Sequence, residues 1–282
     1  MRLRIDLAYD GTDFRGWARQ PNLRTVQGTL EAAIARILGG DPRLVVAGRT
    51  DAGVHAAGQV CHLDLTDGQQ TRLRAGRHPD PSALAGRING VLGSYSDVAV
   101  HRVAVAPEGF DARFSAVWRR YSYRLADRTG GYDPLDRLRT TFVNATLDVE
   151  AMDAAANSLR GLHDFAAYCK PRDEATTIRT LLEYDWRRDD SGVLIANVRA
   201  DAFCHSMVRA LVGACVAVGQ GKIGLDRLVE IRDAVTRTND FTVLAARGLT
   251  LAEVGYPADE LLAARAEQTR ARRELDPATD AE

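Results

Sequence analysis

Along these 282 residues, apolar positions recur every second residue in some segments and every 3.6 residues in others, and the two kinds follow one another in a similar order twice,. That ordering points to an α+β fold built from two related halves, with a cleft expected between them. No internal sequence repeat accompanies it. In the first half, Leu3 to Tyr9 reads as a strand. "TVQGTLEAAIARILGG" reads as a helix, with Thr25 as cap, Val26, Leu30, Ile34 and Ile37 on one face and Gly39 as stop,. Strands follow near Arg43 to Ala47 and up to about Leu65. Residues 67–80 are polar and read as a loop. "SALAGRINGVL" reads as a helix and "DVAVHRVAVA" as a strand,.

The second half opens with "FDARFSAVWRRYSYRLAD", read mostly as strand. A helix is expected from Val149 to Leu159, capped by Asp148 and stopped by Gly161. "RTLLEYDWRRDDSGVLIANVRA" reads as a hairpin turning at Asp190-Ser191-Gly192,. "HSMVRALVGACVAVG" and Leu225 to Ala234 read as helices, and "GLTLAEVGY" as a closing strand. The expected domains are 1–106 and 107–265, with 266–282 as a charged, frayed tail,.

Hydrophobic residues make up 45% and charged residues 27%, so an ordinary buried core is available,. No apolar run approaches a membrane span, and "MRLRIDLAYDGTDF" lacks the apolar core of a signal peptide, so a cytoplasmic location is expected,. Cys61, Cys169, Cys204 and Cys215 form no CxxC pair and read as reduced, partly buried thiols,. His55, Cys61 and His62 are close in sequence but match no common zinc spacing, so no metal is expected,.

The net charge of −1 does not announce a nucleic-acid partner,. Of the 37 basic residues, 35 are Arg and only Lys170 and Lys222 are Lys. Arg102 to Arg128 holds six Arg among Phe110, Phe114, Trp118, Tyr121 and Tyr123. Two readings fit that segment equally: phosphate contacts with base stacking, or a sheet with Arg on its wet face and aromatics on its core face.

Between two strands lies "AGRTDAGVHAAGQ", a glycine-rich loop with one carboxylate, Asp51. Gly48 and Gly53 open like a phosphate-binding loop, but Val54 and His55 stand where Lys and Ser/Thr are required,. "GQGKIG" fits G-x-G-x-x-G but follows a helix, so it reads as a helix end and turn,. Asp in such a loop commonly caps its own turn. Arg49 is placed to keep Asp51 ionised, and Ala52 and Gly53 leave room for a substrate. A lone ionised Asp suits a nucleophile or an electrostatic stabiliser better than an acid/base pair.

"AGRTDAGVHAAGQV" closely resembles the catalytic loop of the tRNA pseudouridine synthase A family. "YDGTDFRGW", "FDARFSAVWRRYSY", "FCHSMVRALVG" and "GLTLAEVGYP" resemble further blocks of that family, in family order, from about Tyr9 to Pro257. The resemblance implies the pseudouridine synthase fold: two similar α/β halves forming a continuous antiparallel sheet flanked by helices, with the active site in the cleft. It implies a homodimer acting without metal or organic cofactor on tRNA, converting uridine to pseudouridine at positions 38, 39 and 40 of the anticodon arm.

By position, the resemblance implies that Asp51 is the catalytic aspartate, with Arg49 in its loop. Tyr121 would stack on the target base, Arg209 would pair with the carboxylate, and Leu249 would lie beside the base. RNA contacts are implied for Phe110, Asp111, Ala112, Arg113 and Phe114, and for Asp173, Glu174, Ala175, Thr176 and Thr177. Ala18, Ser206 and Ala175 depart from residues usual in the family, and "GVLGSYSDVAV" is slightly expanded. Two other readings compete: an RNA-binding protein that lost the chemistry, and a nucleotide-dependent hydrolase using Gly48 to Gly53, which the absent Lys disfavours.

Overall fold

The structure, a computed structural model, describes residues 1–75, 79–171 and 176–270. In chain order the elements are β1 (Arg2–Tyr9), α1 (Val26–Leu38), β2 (Leu44–Val46), β3 (His55–Asp64), α2 (Asp67–Ala75), α3 (Leu84–Leu92) and β4 (Val98–Val105). Then come β5 (Trp118–Ala126), β6 (Thr141–Phe142), α4 (Val149–Ser158), β7 (Gly161–Asp164), β8 (Ile178–Arg188) and β9 (Leu194–Ala200). α5 (Met207–Gly219), α6 (Leu225–Asp233), β10 (Leu249–Gly255) and α7 (Leu262–Arg270) close the described chain. No helix among the described residues is long and apolar enough to cross a membrane.

The chain folds as two units: Met1–Val117 with Thr250–Arg270, and Trp118–Leu249. The boundary lies beyond the expected 106/107, and β10 with α7 returns to the first unit. α7 also shows that helix continues past residue 266; residues 271–282 lie outside the described residues.

In the first unit the strand order is β4-β1-β3-β10, with β2 also on β3. β1 pairs antiparallel with both neighbours, whereas β10 meets β3 in parallel at Thr250↔His55 and Leu251↔Ala56. β1 alternates as a half-buried strand must: Leu3, Ile5, Leu7 and Tyr9 are buried,. α1 covers the core with Val26, Leu30 and Ile34. Its N-cap is Thr25, whose hydroxyl accepts from Gly28 N–H, and Gly39 ends it at φ 72°,. Each buried Leu or Ile contributes roughly 1.5–3 kcal/mol.

Residues 67–75, expected as loop, form α2. It buries only Gln69 and Leu73, so it lacks the apolar stripe that marks a helix in sequence,. Conversely, residues 110–117 are not strand. Asp111 accepts from Arg113 and Phe114 N–H, at 2.9 Å each, and turns the chain there,.

In the second unit the order is β5-β9-β8-β7, antiparallel throughout, with β6 added in parallel to β5. On β5, Tyr121, Tyr123 and Leu125 are buried while Arg120, Ser122 and Arg124 are half-buried. The wet-face and core-face reading therefore holds for most of this strand. Arg119 breaks it: it is buried and donates to Asp201 O at 3.0 Å. Every residue of α5 except Arg209 is buried. "GQGKIG" is the turn between α5 and α6, with Gly221 at φ 68°.

Cys169 and Cys204 are joined as a disulfide with Cα atoms 5.7 Å apart. The expectation of reduced thiols fails for this pair, which the fold brings together across 35 residues. Cys61 and Cys215 are free and buried. Burial pushes the Cys215 thiol up to about 12.

Asp127, fully buried, ends β5. It accepts a forked pair from Arg188 at 2.8 and 2.9 Å, and backbone N–H groups from Gly130 and Leu147,. Burial alone would raise its carboxyl, but Arg188 and the two N–H groups outweigh burial and hold it at about 2. In the unfolded chain it titrates near ~3.9. The folded form therefore gains stability above pH 4 that fades as pH falls toward 2, about 2 kcal/mol in all. Urea midpoints at pH 6 and pH 3 check this: Asp127→Asn should be destabilised at pH 6 and lose much of the wild type's acid sensitivity.

Candidate active site

The loop carrying Asp51 is held from two sides within the first unit. Beneath it, the Tyr9 hydroxyl and Thr50 Oγ1 are hydrogen-bonded at 2.7 Å. Gln59 Nε2 donates to Tyr9 Oη at 3.1 Å and to Gly48 O at 2.9 Å. Burial pushes the Tyr9 phenol up to about 12, so it stays neutral. Tyr9 from β1 and Gln59 from β3 thus fix residues before Asp51. Over the loop runs the segment 10–17. Trp17 N–H donates to Thr50 O at 3.0 Å, and Gly53 N–H donates to Phe14 O at 3.3 Å. Gly11 N–H points at His55 Nδ1, 3.1 Å away.

This contact explains the glycines of "YDGTDFRGW". A Cβ on Gly11 would lie 2.0 Å from Val54 O, and Gly16 sits at φ +92° with its Cβ position 3.0 Å from Thr50 O,. Asp51 itself is half-buried, and Arg49 and Ala52 are exposed. Asp51 therefore sits half-buried on a pinned backbone.

In the second unit, Tyr121 lies in the middle of β5, opposite Val198 of β9, and is 8% exposed. Its ring meets Phe203 edge-on, with centroids 5.1 Å apart and planes at 89°. Arg209 stands in the first turn of α5. Its Nε donates to Leu244 O at 2.7 Å, and Leu244 N–H returns a bond to Arg209 O at 3.2 Å. The segment 240–248 is strapped down further. Tyr123 Oη donates to Ala245 O at 2.8 Å, and the Phe241 and Tyr168 rings stack at 5.5 Å. A Cβ on Gly213 of α5 would come within 2.0 Å of Thr242 O, so the close approach requires glycine. This strap delivers Leu249, 6% exposed, to the start of β10.

A family model described as tRNA pseudouridine synthase matches residues 155–257. The chain is 61% identical to the tRNA pseudouridine synthase A of Leifsonia xyli subsp. xyli, over 97% of this chain and 98% of that one. It is 51% identical to the corresponding protein of Cutibacterium acnes (96% and 95% covered) and 50% identical to that of Streptomyces griseus subsp. griseus (96% and 93%). The chain belongs to the tRNA pseudouridine synthase A family. It is an isomerase of that family, as the resemblance implied, and the α+β fold agrees.

Phe110 and Ala112 are buried, so they support their segment rather than face solvent. Arg113 is exposed, and its guanidinium lies 4.9 Å from the centroid of the half-exposed Phe114 ring. His62 Nδ1 accepts Ala112 N–H at 3.0 Å. Burial, then the Arg2 charge, holds His62 below its usual pKa, which keeps the ring an acceptor. Thr177 Oγ1 donates to Asp164, and Arg179 Nη1 donates to Thr176 Oγ1 at 3.0 Å. Asp173, Glu174 and Ala175 lie outside the described residues. The supporting residues Tyr9, Thr50 and Gln59 were not singled out in sequence, although all three lie in quoted motifs. Their pairings span 41 and 50 residues, which no local pattern reveals.

Proposed function

We propose that this isomerase acts on uridine 38, 39 and 40 in the anticodon arm of tRNA, with Asp51 performing the chemistry at the ribose. The single observation that carries this reading is the Asp51 loop, its backbone pinned by Tyr9, Gln59, Phe14 and Trp17 with Asp51 itself half-buried,. The uracil must leave C1′, turn while bound, and rejoin through C5. A carboxylate serves by adding to C1′ or by taking the C2′ proton to give a glycal. Both routes need it ionised.

The target base is paired or stacked in its stem-loop and must be flipped out. Tyr121 offers the aromatic face that receives it, with Leu249 as apolar neighbour, and Arg209 supplies the cation for the carboxylate. Arg49, Arg113 and Phe114 are accessible groups for phosphates and bases,. RNA contacts at residues 110–112 and 173–177 belong to the same proposal, with Phe110 and Ala112 acting through their neighbours. We also propose a cytoplasmic location, where tRNA would be met, and a homodimer as the working form.

Anticodon-arm transcripts with a single uridine at 38, 39 or 40 test the site range. Carbodiimide derivatisation followed by primer extension should stop at each of the three positions. Stops elsewhere, or at none of them, would overturn the assignment.

A further inference from the structure

We infer that Phe203 is a positioning residue for the isomerisation: its ring braces Tyr121 so that one aromatic face is held ready for the uracil. The inference rests on Tyr121 being the stacking residue, and it deepens that reading.

The two rings meet edge to face, 5.1 Å between centroids and at 89°. In this arrangement the positive edge of one ring meets the negative face of the other, which favours one orientation of the pair over the rest. A uracil that detaches and turns while bound needs a platform that does not turn with it. Nothing covalent fixes the plane of a tyrosine ring, so a neighbour must.

Phe203 is itself held by an anchored segment. Asp201 N–H donates to Thr180 O and Asp201 Oδ1 accepts from Thr180 N–H, each at 3.2 Å. Arg119, on the same strand as Tyr121, donates to Asp201 O. One residue after Phe203, Cys204 is bonded to Cys169, and Lys170 N–H donates to His205 O at 2.9 Å. Ser206 then enters α5 from the left-handed region, φ 65°, without a side-chain cap. Residues 201–206 are thus tied to β8, β5 and the segment at Cys169. The same short stretch delivers Phe203 to Tyr121 and Arg209 to the first turn of α5.

The test compares single-turnover rates on saturating tRNA, tRNA affinity and thermal midpoint. Phe203→Leu removes the aromatic ring and keeps most of the volume. Phe203→Tyr keeps the ring, and Phe203 is half-exposed, which leaves room for an added hydroxyl. We expect Phe203→Leu to slow the reaction about tenfold, with affinity within about twofold and little change in midpoint. Phe203→Tyr should restore the rate to within about twofold. In a Tyr121→Leu background, Phe203→Leu should add less than about twofold, because the ring it braces is gone. A wild-type rate in Phe203→Leu, equal rates for Leu and Tyr at 203, or full additivity in the double variant would each overturn the brace. A wild-type rate in Tyr121→Leu would instead overturn the stacking assignment, and the brace with it.

Discussion

Asp51→Asn should abolish product formation while leaving tRNA affinity within about threefold of wild type. The amide matches the carboxylate in size and shape, so the loop pinned through Thr50, Gly48 and Gly53 has no reason to move. It carries no negative charge, so it can neither add to C1′ nor take the C2′ proton. Loss of a group that performs the chemistry costs about 10⁴-fold or more in other enzymes, far beyond any packing effect of so small a change. Single-turnover assays with filter binding measure both quantities. Turnover within tenfold of wild type would remove Asp51 from the reaction, and loss of binding in parallel would make its role one of RNA contact.

Gly11→Ala should damage both stability and turnover, although residue 11 is not among the proposed substrate contacts. The added Cβ would lie 2.0 Å from Val54 O and 2.5 Å from Val54 C. Both are backbone atoms, so no side chain can rotate away. Relief requires the segment 10–17 and the Asp51 loop to part. Overpacking of this kind costs about 1–3 kcal/mol, and backbone on both sides argues for the upper end. Val54 is three residues from Asp51 and its N–H donates to Asp51 O at 3.2 Å, so the displacement reaches the carboxylate. A shift of about 1 Å there lowers the rate about 100-fold. Thermal melts and turnover at saturating tRNA check the pair of effects. A variant with wild-type midpoint and rate would show that the close contact is not needed.

What could be read in the sequence follows from which interactions are local. β1, α1, the β8–β9 hairpin and α5 were legible because each buries one face or all of itself, which leaves a period in the chain. α2 left none, since only two of its nine residues are buried. Residues 110–117 carry strand-like aromatics, yet the Asp111 carboxylate and the His62 ring bend them into a turn. The Asp51 loop was legible through its glycines and lone carboxylate. Its supports were not: Tyr9 meets Thr50, and Gln59 meets Tyr9, only after β1 and β3 pair. The edge-on contact of Phe203 with Tyr121 and the Cys169–Cys204 bond likewise depend on how β5, β9 and the segment before α5 come together. The return of β10 to the first unit is a matter of topology, which composition does not encode.

The most direct measurement is release of tritium from tRNA labelled at C5 of uridine, run in parallel with wild type and Asp51→Asn. Forming the C1′–C5 bond expels the C5 hydrogen to water, so release reports the isomerisation itself. Release is expected from the wild type, ceasing when positions 38–40 carry no uridine, and none from Asp51→Asn. Release by both proteins would contradict the role of Asp51. Binding without release by the wild type would contradict the isomerase.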